Sequence, residues 1–137
     1  GGGFALGAKA VYPNKPVVIL WGDGSAGYSL MEFDTFTRHK LPVTAVIGND
    51  ACWTQIAREQ IPMFKSRVAV DLSRAPYEEV AVALGGAGIK VTRDGGDSEK
   101  DGETVLKKAL AQNANGQSSL INVHIGGTDF RDGSISV

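Results

Sequence analysis

Residues 16–21, Pro-Val-Val-Ile-Leu-Trp, form an unbroken apolar run that stops abruptly at Gly22-Asp23-Gly24-Ser25-Ala26-Gly27. A run of this length, rich in β-branched residues, predicts a strand buried on both faces, as in parallel sheets. Pro42 to Gly48 has the same character and is cut by Asn49-Asp50. Ile89 to Thr92 and Ser119 to Ile125 predict two further strands. Between these runs the pattern turns helical. Phe4 to Val11 reads as a short helix stopped at Tyr12-Pro13-Asn14. Tyr28 to Lys40 sets Leu30, Phe33, Phe36 and Thr37 on one stripe, with Arg38, His39 and Lys40 where cations complement the helix dipole. Tyr77 to Leu84 follows Pro76 and ends at Gly85-Gly86, and Glu103 to Asn113 makes another helix. Ala51 to Arg74 is mixed and reads as short helices and loop. Arg93 to Gly102 reads as a surface loop, and Gly126 to Val137 as a polar tail. This alternation predicts an α/β fold: a doubly wound, mostly parallel sheet with helices on both faces.

A chain of 137 residues fits one domain with a real core. Fourteen basic residues against fifteen acidic ones leave a net charge of −1, which lacks the basic bias of a nucleic-acid binder. No apolar run has the length of a bilayer-spanning helix. The single cysteine, Cys52, excludes an internal disulfide framework. The opening Gly1-Gly2-Gly3 is unusual for a gene product, so residues 1–137 are expected to be one domain of a longer protein.

The chemistry concentrates where the first two strands end. Glycines let backbone approach a ligand closely, and free amides at a helix start attract anions. Gly22, Gly24 and Gly27 satisfy the G-x-G-x-x-G spacing of dinucleotide-binding folds, and Asp50 sits where such folds keep a ribose-binding acid. Asp23 favours a different reading. A carboxylate inside a diphosphate loop repels its ligand unless a cation lies between them. Mg2+ takes carboxylate and phosphate oxygens together. Asn49-Asp50 offers further oxygens at the same sheet edge, since parallel sheets bind ligands beyond the carboxyl ends of their strands.

Gly22-Asp23-Gly24, followed after a helix and a strand by Asn49-Asp50, resembles the thiamine-diphosphate motif of Gly-Asp-Gly, spacer, Asn-Asn. Gly3 to Ala10 resembles the glycine- and alanine-rich helix that precedes this motif in acetolactate-synthase-like enzymes, and Glu32, Leu41 and Pro42 also fall at matching places. The resemblance covers the whole chain as the C-terminal, diphosphate-binding domain. The stretches Gly22 to Val43, Gly48 to Gln60 and Gly126 to Val137 are most similar to the acetolactate-synthase-like 2-hydroxyacyl-CoA lyases of animals.

Several assignments rest on that resemblance. It implies the cofactors thiamine diphosphate and Mg2+. Asp23 and Asp50 are the implied metal ligands, with the Cys52 carbonyl as a third and Asn49 as the alternative to Asp50. Gly22, Gly24 and Ser25 would meet the diphosphate, and Trp53 and Thr54 would lie alongside the cofactor. Asp50 departs from the family's asparagine and adds a negative charge. No catalytic residue is expected here, because the glutamate that activates the cofactor belongs to another domain. The implied reaction is carbon–carbon cleavage of a 2-hydroxyacyl-CoA into formyl-CoA and an aldehyde one carbon shorter. Acetolactate synthesis or a related 2-oxoacid decarboxylation is the alternative. A dinucleotide-binding domain and a non-catalytic fragment are alternatives from other classes. The implied partners are an acyl-CoA substrate and the pyrimidine-binding domain of a neighbouring subunit in a homodimer or homotetramer, with no nucleic acid. The implied location is the endoplasmic-reticulum membrane.

Plainer roles compete for some of these residues. Asp50 alone suits a turn. Cys52 suits packing, since no base accompanies it, and Trp53 suits either core or pocket. Glu32 suits a helix surface, His39 a solvated helix end, and His124 a structural place on the last strand. Phe130 to Gly133 suits a closing lid or a frayed end.

Overall fold

In the computed structural model, which describes residues 1–93 and 101–127, four strands form one fully parallel sheet. They are β1 (Val18–Gly22), β2 (Thr44–Asn49), β3 (Ala87–Val91) and β4 (Ser119–His124), in the order β1-β2-β4-β3. The register pairs Gly22 with Gly48 and Asn49 with His124, so the ends of the three strands β1, β2 and β4 lie side by side. Six helices accompany the strands among the described residues: α1 (Gly2–Val11), α2 (Asp23–Ala26), α3 (Glu32–Arg38), α4 (Thr54–Phe64), α5 (Tyr77–Ala83) and α6 (Gly102–Ala114).

The sheet is covered on both faces, because successive strand residues point to opposite sides. Ala45 and Ile47 of β2 and Leu120 of β4 meet Ala5 of α1, Phe33 and Phe36 of α3, and Ala81 of α5 on one side. Val46, Ile89 and Ile121 meet Val105 and Ala109 of α6 on the other. Phe33 and Phe36 are wholly buried, and each such ring contributes about 1.5–3 kcal/mol by leaving water. Their rings also meet edge to face at 5.5 Å.

The structure corrects several expectations. β1 is not buried on both faces: it is an edge strand, with Ile19 and Trp21 turned into the core but Val18 and Leu20 45% and 79% exposed. Among the described residues no helix packs over that side of it. The glycine-rich turn is itself a helical turn, α2, and the helix expected from Tyr28 begins only at Glu32. Residues 54–64, read as mixed, form one helix that accommodates Pro62 near its C-terminal end. Pro62 and the polar composition hide that helix from a periodicity reading. Helix α1 starts two residues early because Gly1 and Gly2 pack tightly. A β-carbon on Gly2 would meet Glu32 Cγ at 2.8 Å, and one on Gly1 would meet Trp21 Nε1 at 2.2 Å. Both the loop expected at 93–102 and the tail expected from 126 fall largely outside the described residues.

Candidate diphosphate and metal site

The parallel register of β1 and β2 sets Asp23 beside the Asn49-Asp50 turn, since Gly22 and Gly48 are partners in the ladder. A cavity of about 800 Å3 opens there. It is lined by Gly22, Asp23, Gly24, Ser25, Asp50, Cys52, Trp53 and Thr54. These are eight of the nine residues singled out from sequence. The ninth, Asn49, is fully buried and does not line it.

Asp23 is 2% exposed, at the first position of α2. Its Oδ1 accepts the Gly24 amide at 3.0 Å, while its Oδ2 is buried with no hydrogen-bond partner among the described residues. Burial pushes its carboxyl above the ordinary carboxylate range. The Gly24 amide opposes this, the nearby Asp50 charge adds to it, and the Ala51 amide again lowers it. Tyr77, at the start of α5, is raised as well, by burial first and then by the charge of Asp23. The site therefore sets a second carboxylate near an oxygen that no described residue satisfies.

The second turn is braced on several sides. Thr54 Oγ1 donates to Asp50 Oδ2, tying the acid to the start of α4. The Trp53 amide donates to the Val70 carbonyl and the Leu72 amide to the Ala51 carbonyl, both at 2.8 Å. These bonds make a bridge between Cys52 and Asp71, yet neither engages the Cys52 carbonyl. Arg74 clamps the turn from behind through the Asn49 and Ile125 carbonyls, at 2.6 and 2.8 Å. The Asn49 side chain is committed inward: Nδ2 donates to Asn122 Oδ1 at 3.2 Å and Oδ1 accepts the Ala51 amide at 3.2 Å.

Trp53 joins the two turns. Its indole lies against Gly24 and meets Tyr28 edge-on at 5.8 Å. It is a wall of the cavity, not a core side chain. Arg58 and Gln55 on α4, together with Trp21, Gly48, Ile56 and Ile125, also line the cavity and were not anticipated. Thr54 and Arg58 stand four apart on a helix, and that spacing becomes visible only once residues 54–64 are known to be helical. A second cavity, of about 590 Å3, shares Asp50, Cys52, Thr54 and Arg58 and extends toward Ile61, Arg67 and Asp71. His39 is exposed, while His124 is half-buried, its imidazole shifted down by burial first and then by Lys90 and Arg74.

The donor set fits a magnesium-bridged diphosphate. The described residues hold no group of three metal-binding His, Cys, Asp or Glu side chains. A cation here depends on two carboxylates, backbone oxygen and the ligand's phosphates, which suits Mg2+. Asp23 Oδ2, without a partner among the described residues, would be one such oxygen. A β-carbon on Gly22 would meet nothing within 4 Å, so the space beside this cavity residue is open.

Residues 1–123 match the family described as thiamine pyrophosphate enzyme, C-terminal TPP binding domain, and the chain belongs to that family. Over its full length it is 63% identical to 2-hydroxyacyl-CoA lyase 2 of Caenorhabditis elegans, of which it spans 21%. It is 42% identical over 93 residues to the acetolactate synthase large subunit of Mycobacterium tuberculosis, covering 67% of this chain and 17% of that one. The benzoylformate decarboxylase structure from Polynucleobacter necessarius shares the fold, with a TM-score of 0.71 at 24% identity over 93% of this chain and 23% of that one. The family's cofactor is thiamine diphosphate, used with a divalent metal. The dinucleotide reading of Gly22, Gly24 and Gly27 is set aside, and the single helical turn of α2 does not give the long helix such a loop enters.

Proposed function

We propose that residues 1–137 are the C-terminal domain of a longer thiamine-diphosphate enzyme that cleaves 2-hydroxyacyl-CoA into formyl-CoA and an aldehyde one carbon shorter. The carrying observation is the 63% identity, over every residue of the chain, to a relative named for that activity. In the reaction the bond between C1 and C2 breaks, the 2-hydroxyl loses its proton as its carbon becomes the aldehyde, and the acyl carbon takes up one proton and leaves as formyl-CoA. Bound thiamine diphosphate supplies the carbanion chemistry that such a cleavage needs.

This chain's own part is to bind and orient. Asp23 and Asp50 hold Mg2+ with the Cys52 carbonyl, and Gly24 and Ser25 meet the diphosphate. Trp53 and Thr54 wall the cofactor, and Asp50 is kept in place by the Thr54 hydroxyl. The glutamate that activates the cofactor comes from the pyrimidine-binding domain of a neighbouring subunit, in a homodimer or homotetramer at the endoplasmic-reticulum membrane. No described helix is long and apolar enough to cross a membrane.

The test is product analysis by mass spectrometry on the full-length protein with thiamine diphosphate and Mg2+. A 2-hydroxyacyl-CoA is expected to give formyl-CoA and the shortened aldehyde, and pyruvate little acetolactate. Acetolactate as the dominant product would favour the synthase reading.

A further inference from the structure

Three buried polar side chains run from the back of the domain to the Asp50 turn. Glu78 of α5 is 7% exposed, and Asn122 of β4 and Asn49 of β2 are fully buried. Asn122 Nδ2 donates to Glu78 Oε2 at 2.5 Å, and Asn49 Nδ2 donates to Asn122 Oδ1 at 3.2 Å. Asn49 Oδ1 then accepts the Ala51 amide at 3.2 Å. The chain of bonds has one direction, and chemistry fixes it. A carboxylate only accepts, so Glu78 turns the amino end of Asn122 toward itself. The carbonyl end of Asn122 must then face the amino end of Asn49, which leaves the Asn49 oxygen for Ala51. The Ala75 carbonyl accepts from both amino groups, at 3.2 and 3.4 Å, and reinforces the same sense.

Ala51 is where this matters. Its φ of 60° lies in the left-handed region, which side chains with a β-carbon rarely adopt. A reversed Asn49 would present hydrogens to the Ala51 N–H, and the turn would lose one of the bonds that hold this conformation. That conformation lies between Asp50 and Cys52, which both line the cavity containing Asp23.

We infer that Glu78 is a positioning residue for the metal site, acting through Asn122 and Asn49 to hold the Asp50 turn. Glu78 lines neither cavity at the site. The inference rests on the magnesium-diphosphate reading above and adds a residue to it. Removing the acceptor leaves one hydrogen of the buried Asn122 amide unmet and leaves only the Ala75 carbonyl to hold the direction of the two asparagines. Glutamine at position 78 keeps an acceptor oxygen in the same place and restores the direction.

The experiment is calorimetry of Mg2+ binding to the full-length protein in excess thiamine diphosphate, with circular dichroism to confirm the fold. Glu78→Leu is expected to weaken Mg2+ about tenfold or more, as loss of a partner behind a metal ligand commonly does. Glu78→Gln is expected to bind close to wild type. In an Asp50→Ala background Glu78→Leu is expected to add little, because the group it positions is gone. Wild-type affinity in folded Glu78→Leu, or an equal loss in both backgrounds, overturns the role of Glu78. If Glu78→Leu does not fold, Glu78→Asp replaces it: the shorter arm is expected to weaken Mg2+, and unchanged affinity overturns the inference. A wild-type protein that binds no thiamine diphosphate with Mg2+ would instead refute the underlying reading.

Discussion

The indole of Trp53 lies so close to Gly24 that a β-carbon on the glycine would stand 2.7 Å from its Cδ2 and Cε3 atoms. The two turns of the site are thus packed against each other through one ring, and the glycine is required by that contact. Gly24→Ala must displace either the ring or the loop. Thiamine diphosphate affinity is expected to fall about tenfold or more, because sub-ångström placement of binding groups is costly to lose. Gly3→Ala, where a β-carbon meets nothing within 4 Å, is the control and is expected to bind normally. Titration of intrinsic tryptophan fluorescence reads both variants.

Asp23 should trade stability against function. Its carboxyl is raised by burial and by the neighbouring Asp50 charge, so the folded, metal-free protein holds that proton more tightly than the unfolded chain. Metal-free stability is therefore expected to decline as pH rises from the ordinary value of 3.8 through the raised one. In Asp23→Asn that decline should be smaller and the melting temperature at neutral pH higher. The same variant is expected to lose the stabilisation that Mg2+ and thiamine diphosphate give the wild type. Thermal melts at several pH values, with and without ligands, measure both effects. A lower metal-free melting temperature for Asp23→Asn would contradict the unmet charge.

Asn49 and Asp50 are adjacent in sequence but have opposite duties. Asn49→Ala takes from the buried Asn122 carbonyl oxygen its donor and from the Ala51 N–H its acceptor, so a stability loss of about 1–3 kcal/mol is expected in urea unfolding. Asp50→Ala removes a side chain bonded to Thr54 at the cavity wall. It is expected to cost metal affinity and little stability. The reverse pattern would make Asn49 the ligand.

How much of this is legible in the sequence depends on how locally each feature is written. The four strands and the helix holding Phe33 and Phe36 follow from short apolar runs and a single stripe. The clustering of Asp23 with Asp50 follows from the rule that parallel strands gather their carboxyl ends. Other features are set by tertiary packing. Nothing in Val18 or Leu20 announces an edge, since exposure depends on which helices cross the sheet. Pro62 conceals α4, because a proline beyond the first turn normally argues against a helix. The inward commitment of Asn49 depends on Asn122 and Glu78, 73 and 44 residues along from their respective partners.

Asp101 provides a test away from the site. Its carboxylate caps α6 by accepting the Glu103 and Thr104 amides at 3.2 Å and the Thr104 hydroxyl. The Thr104 side chain first, then these amides, hold its carboxyl below the ordinary value of 3.8. A lowered folded value gives stability that is present above 3.8 and lost as pH falls through the folded value. Asp101→Ala is expected to be less stable than wild type at neutral pH, with the two curves converging in acid. A gap that persists below the folded value would mean that the charge is not what caps the helix.

The most direct measurement for the central claim is calorimetric titration of thiamine diphosphate into the full-length protein, with Mg2+ and then in excess chelator. Two carboxylates facing one cavity, with Asp23 Oδ2 unpartnered, require a cation before a diphosphate can enter. Binding is expected with Mg2+, none with chelator, and a severe loss with Mg2+ in both Asp23→Asn and Asp50→Ala. Equal affinity in chelator, or undiminished binding in both variants, would contradict a magnesium-bridged diphosphate at these turns.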